Sequence, residues 1–382
     1  MTASLPARAD RHYYGLDLMR FVAAWLVVLY HFGQFNWKHP SVQAPPHEVA
    51  FPFLHRFTAV GSVGVEIFFL ISGFVIAGSA VGQTPSHFVF RRAIRILPAL
   101  WICSALSFIA RASTGEPIST LTAALLNSIT LSPRGPYIDG VVWTLVVEAV
   151  FYALIFLCLL RREPVRFVKL AQWIGGLSAV FITVMFTADM LAPSIPLAAK
   201  VLAVCDRFPF KVALLRHGVF FAAGILIWAQ SSHGIGRRHI VYLLALLVPC
   251  SLEISILREG LLNTMVSLAL WWASLALLVA SVAWPEALGR AMSPFITPLK
   301  GCGRLSYPLY LSHFTIGSVI VPVLFQLRIG ELPAFAGALT IVVLLSYLVM
   351  QYPERTIQKH LNAILRARGR TVTGPYLNAP AE

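Results

Sequence analysis

Apolar runs long enough to cross a bilayer recur along this chain from Leu16 to Met350, with little polar sequence between them. A spanning helix needs about 20 consecutive apolar residues, because the hydrocarbon core is about 30 Å thick. The runs here are about 17–24 residues long. Hydrophobic residues make up 58% of the chain and charged residues 12%, more apolar sequence than a soluble core of this length can use. The pattern predicts an all-α polytopic membrane protein with about ten spans, near 16–35, 59–81, 93–110, 141–160, 168–188, 212–230, 240–256, 261–283, 305–326 and 332–350.

Ten spans put both termini on one side. The loops on that side carry most of the basic residues, among them Arg91, Arg92, Arg95, Arg161, Arg162, Arg237, Arg238 and Arg304. The positive-inside bias then makes both termini cytoplasmic. The expected organisation is a basic cytoplasmic lead over 1–15, one transmembrane domain over 16–354 and a basic cytoplasmic tail over 355–382. The first run carries Arg20 and lacks a small-residue cleavage site, so it is expected to stay as the first span. The net charge of +14 is explained by topology and by attraction to the anionic lipid bilayer, and no nucleic-acid partner is expected. Cys103, Cys158, Cys205, Cys250 and Cys302 form no CxxC pair, which points to neither a disulfide framework nor a metal site. Leu121–Leu131 is apolar but too short to span and reads as an interfacial or re-entrant segment, and Leu257–Gly260 reads as a tight hairpin.

Ionisable residues inside spans are costly and are functional candidates by default. In the first span, Arg20 and His31 are eleven residues apart, within roughly 20° of one helical face and about 16 Å along the axis. Asp17 lies one turn before Arg20, close enough to pair with it. A permanent cation and a titratable base on one stripe suit a long anionic molecule whose reactive end must meet a base. A snorkelling Arg20 and an interfacial His31 would account for the same residues. The second span carries Glu66 within a small-residue run, Gly61 to Phe74. Arg91 and Arg95 share a face at the start of the third span and, with Arg92, form either a phosphate clamp or a topological anchor. Thr144, Glu148 and Tyr152 make a polar stripe in the fourth span. Ser306, Tyr310 and His313 fall on one side of the ninth. Glu148 and Glu66 are expected near the depth of His31, where a carboxylate could orient it or offset imidazolium.

Five of these segments, in order, resemble the acyltransferase-3 family of integral membrane O-acyltransferases. They are Arg20 with His31, Gly61–Phe74, Arg91–Pro98, Trp143–Tyr152 and Ser306–His313. The chain is similar to the stand-alone type, without a fused soluble domain. Where the family often closes its last span with Tyr, Glu and Pro in that order, this chain reads Gln351-Tyr352-Pro353-Glu354-Arg355, and no role is carried onto it. The resemblance implies acyl transfer, with acetyl expected and succinyl an alternative. The donor would be cytoplasmic acyl-CoA, most simply acetyl-CoA. The acceptor would be a carbohydrate hydroxyl on an exopolysaccharide, a lipopolysaccharide O-antigen or a glycosylated product, at a bacterial inner membrane. It implies His31 as general base, assisted by Glu148 or Glu66, with Arg20, Arg91, Arg92 and Arg95 holding the donor and Tyr152, Tyr310 and His313 facing substrate. A proton-coupled transporter is the competing class, since intramembrane carboxylates, Arg and His can line a proton path.

Overall fold

A computed structural model describes residues 13–35, 50–161, 166–256 and 260–367. Expectations for most of the N-terminal lead, for the loop after the first span, for Arg162, for the Leu257–Gly260 hairpin and for the end of the tail fall wholly or largely outside these residues. The described chain is built from helices. In order they are α1 (Tyr14–Gln34), α2 (Pro52–Thr58), α3 (Gly64–Ala80), α4 (Pro85–Ala112), α5 (Ile118–Ile129), α6 (Val142–Leu160), α7 (Arg166–Leu191) and α8 (Pro196–Cys205). There follow α9 (Phe208–Val212), α10 (Gly218–His233), α11 (Arg237–Ser255), α12 (Leu261–Ala283), α13 (Pro285–Ala291), α14 (Ile296–Gln326), α15 (Glu331–Val349) and α16 (Arg355–Ala367).

Among the described residues, nine helical stretches are long and apolar enough to cross a membrane. Nine of the ten expected spans map onto them. The sixth, 212–230, does not hold in that form. Leu214 has φ 60°, a left-handed conformation that ends a helix, so the chain breaks there and α10 starts only at Gly218. The resulting 16-residue helix is buried on every side from Val219 to Ala229, as an interior helix packed against α3 and α7 should be. α5 is the short apolar helix expected near 121–131. A π-helical turn over Met350–Glu354, where Pro353 removes an N–H from the ladder, joins α15 directly to α16.

The small residues of the second span are explained by close approach. A Cβ on Gly73 would lie 2.2 Å from the Phe221 carbonyl oxygen, and one on Gly224 would lie 2.3 Å from that of Leu70, so α3 and α10 cross backbone to backbone. Without a hydrophobic driving force between helices in lipid, such tight packing is what holds a bundle together. α1 packs against α3, α12 and α14. It runs parallel to α14. Asp17 lies against Gly303 near one end and His31 against His313 farther along.

Candidate active site

The two histidines of this α1–α14 seam form a hydrogen-bonded pair. His31 Nδ1 is 2.9 Å from His313 Nε2. His313 is completely buried, whereas His31 keeps part of its surface open. The other nitrogen of His313, Nδ1, lies 2.9 Å from the Tyr310 carbonyl oxygen and 3.1 Å from that of Leu309. A carbonyl only accepts, so Nδ1 carries the hydrogen. In neutral imidazole the opposite nitrogen is then the acceptor. His313 Nε2 therefore accepts from His31 Nδ1–H, and the lone pair of His31 falls on Nε2. Two main-chain carbonyls on α14 thus set the tautomer of a ring on α1. In this seam the group hydrogen-bonded to His31 Nδ1 is His313.

Aromatic rings close around the pair. Phe314 meets His31 edge-on at 4.8 Å between centroids, and Phe35 and Tyr30 lie at 5.2 Å. Tyr310, one turn before His313, shares a 2.9 Å hydrogen bond with Thr144. The expected Thr144–Glu148–Tyr152 stripe therefore splits between two environments. Thr144 belongs to the histidine end of the bundle. Glu148 accepts from Ser72 Oγ at 2.6 Å and bears electrostatically on Tyr152. The Arg92 guanidinium, hydrogen-bonded to Ser79, lies over the rings of Phe88 and Tyr152 at 5.6 and 5.7 Å.

The three arginines at the start of α4 have different surroundings. Arg92 is turned into the bundle and engaged as described. Arg91 is half-buried, and its Nη1 has no hydrogen-bond partner among the described residues. Arg95 is exposed, and it and Arg304 are the cations that bear on buried Glu354 in the π-helical turn. Arg20 pairs with Asp17 at 3.3 Å, as the spacing predicts. The parallel seam puts Arg20 and Arg304 at the end of the bundle where α1 begins, and His31 toward the other end.

Glu66 lies elsewhere, in a cluster that sequence reading left unresolved. Ligand atoms of Glu66, His217 and Glu253 fall within 4.8 Å of one another, all three residues being buried. Arg216 already supplies a cation there, donating from Nε to Glu253 Oε1 at 2.9 Å and bonding Asp206. Burial, and then the nearby Arg216 and Lys211, pull the His217 pKa well below the usual imidazole range. The donor set suits an arginine-centred ion network better than a metal. Sequence reading also missed Asp139, a buried aspartate in the loop before α6, which has no periodic neighbour to flag it.

Residues 13–351 match the acyltransferase-domain family, nearly the whole chain. An O-acetyl transferase of Shigella phage Sf6 is 26% identical over 358 residues, covering 89% of this chain and 94% of that protein. Acyltransferase MdmB of Streptomyces mycarofaciens is 27% identical over 359 residues, 87% of each. The exopolysaccharide production protein ExoZ of Rhizobium meliloti (strain 1021) is 33% identical over 112 residues, covering 26% of this chain and 34% of that one. No solved structure matches. With the family pattern running through every span that builds the histidine seam, the chain belongs to the acyltransferase-3 family of integral membrane O-acyltransferases.

Proposed function

We propose that this enzyme transfers an acetyl group from acetyl-CoA to a hydroxyl of a surface or exported carbohydrate, with His31 as general base. The observation that carries the reading is the tautomer chain Leu309/Tyr310 C=O, His313, His31. It leaves a ring nitrogen with an available lone pair on the partly exposed His31, beside the rings of Tyr30, Phe35 and Phe314. His31 Nε2 takes the acceptor hydroxyl's proton as its oxygen attacks the thioester carbonyl. The resulting tetrahedral carbon expels the coenzyme thiolate as the C–S bond breaks. The imidazolium then returns the proton to sulfur, and ester and free thiol leave.

Coenzyme A is a polyanion on a long arm. Arg91 and Arg95 offer guanidinium forks to its phosphates, and Arg20 is a further cation on the helix that carries His31. Arg92, already engaged by Ser79, Phe88 and Tyr152, organises the site around them. Relatives named for O-acetyl transfer and for exopolysaccharide production support an acetyl group and a polysaccharide acceptor. The loop charges support cytoplasmic termini, and with them donor entry from the cytoplasmic side of an inner membrane.

Mass spectrometry of polysaccharide and lipopolysaccharide from wild-type, deletion and His31→Ala strains tests this. The expected result is a base-labile acetyl present only in the wild type. Full acetylation in the His31→Ala strain at normal protein level would overturn the base assignment.

A further inference from the structure

The loop before α6 is tied to the histidine seam by one buried carboxylate. Asp139 Oδ1 accepts from the Val141 N–H and Oδ2 from the Thr315 N–H, each at 3.0 Å. Val141 caps the start of α6, and Thr315 lies two residues past His313 in α14. Thr315 Oγ1 donates back to the Ile138 carbonyl at 3.3 Å, and Arg111 Nη1, from the end of α4, donates to the same oxygen at 3.0 Å. Burial pushes the Asp139 pKa up, while its hydrogen bonds and Arg111 act against that shift. With both oxygens accepting from main-chain N–H groups, the carboxylate is the form this pocket matches.

The next residue reaches the site itself. A Cβ on Gly140 would lie 2.9 Å from Cε1 of Phe314, and the Phe314 ring stands edge-on to His31. No side chain fits there unless Phe314 moves, and Phe314 is also in edge contact with Phe35. The chain of contact is therefore Asp139, the Thr315 turn of α14 with the Gly140 backbone, Phe314 and His31.

We infer that Asp139 is a positioning residue for His31, holding the 138–141 turn and α14 in the register that fixes Phe314 against the His31 ring. This rests on the reading of His31 as the reacting base. The carboxylate does not touch the transferred group. It acts on base geometry, and a misplacement of about 1 Å at a reacting group can lower a rate by as much as ~100-fold.

The test uses full-length protein in membrane vesicles with [¹⁴C]acetyl-CoA as probe, and labelling of His31 by diethylpyrocarbonate read by peptide mass spectrometry against exposed His360. Asp139→Asn, whose amide cannot accept with both ends, is expected to lower alkali-labile acetyl incorporation roughly tenfold or more, with the KM for acetyl-CoA within about twofold. The His31/His360 labelling ratio is expected to rise severalfold as the turn loosens. Gly140→Ala keeps every Asp139 hydrogen bond and adds one methyl group against Phe314. It is expected to lower both incorporation and His31 labelling, and Phe314→Leu in the same chain should relieve it. Unchanged His31 labelling in folded Asp139→Asn, or in Gly140→Ala where the first variant does not fold, would overturn the inference. The labelling readout needs no turnover. Full incorporation in His31→Ala would instead sink the base reading while leaving the positional result standing.

Discussion

His31 Nδ1 and His313 Nε2 stand 2.9 Å apart across the α1–α14 seam, at a separation of 282 positions in the chain. The contact joins a partly exposed ring to a fully buried one, and the buried ring is locked by main-chain carbonyls. The pair makes the two histidines unequal in a measurable way. His31→Ala should lower acetyl transfer by about 10²–10⁴-fold, the range of a lost general base. His313→Ala should lower it less, roughly tenfold, because the base persists with a free choice of tautomer. Incorporation from labelled acetyl-CoA, normalised to membrane protein level, separates the two. Equal losses would mean that both rings act directly.

The arginines of α4 should divide by burial. Arg91→Ala is expected to raise the KM for acetyl-CoA with normal protein yield, since its Nη1 makes no internal hydrogen bond. Arg92→Ala is expected to lower the yield of folded protein, since it strips Ser79 and two aromatic faces of their cation. Titrating acetyl-CoA against vesicles of matched protein content checks the first, and size-exclusion recovery in detergent checks the second.

Glu148 is held by a short hydrogen bond from Ser72. Ser72→Ala removes a donor from a carboxylate in the membrane interior, which should destabilise the protein by about 1–3 kcal/mol. A lowered thermal transition in detergent is the expected readout, and an unchanged transition would show that other groups satisfy Glu148.

The Arg216–Glu253 pair is buried at 13% and 1% side-chain exposure. Glu253→Ala leaves the guanidinium with Asp206 as its remaining carboxylate partner. The loss should be roughly 3 kcal/mol, toward the lower end for a broken buried pair. Glu253→Gln, which retains an acceptor, should lose less. Thermal unfolding of both variants side by side measures the difference.

Gly73→Ala would place a methyl carbon 2.2 Å from the Phe221 carbonyl oxygen, so α3 and α10 must separate. Overpacking of this kind typically destabilises by about 1–3 kcal/mol. Gly82, with φ 74° and nothing within 4 Å of its Cβ position, is the control for a glycine whose role is conformational. Comparing expression and thermal stability of Gly73→Ala and Gly82→Ala distinguishes steric from conformational loss.

Hydropathy is a property of each residue summed over a window, so most of the spans, the membrane class and a run at α5 too short to span could be read from the chain alone. The Asp17–Arg20 pair was legible too, because three residues on one helix fix their own spacing. The five ordered motifs were sufficient to point to the family. The break at Leu214 was not legible, since an apolar window hides a left-handed residue inside it.

Which ring nitrogen of His31 holds the lone pair, why Glu148 meets Ser72 and Tyr152, and why Glu66 joins His217 and Glu253 were decided only by tertiary structure. Each depends on how helices distant in sequence cross. Those crossings are set by backbone contact at Gly64, Gly73 and Gly224 and by α1 lying parallel to α14. A helical period places a side chain on a face of its own helix, but the neighbour it meets is chosen by the packing of the whole bundle.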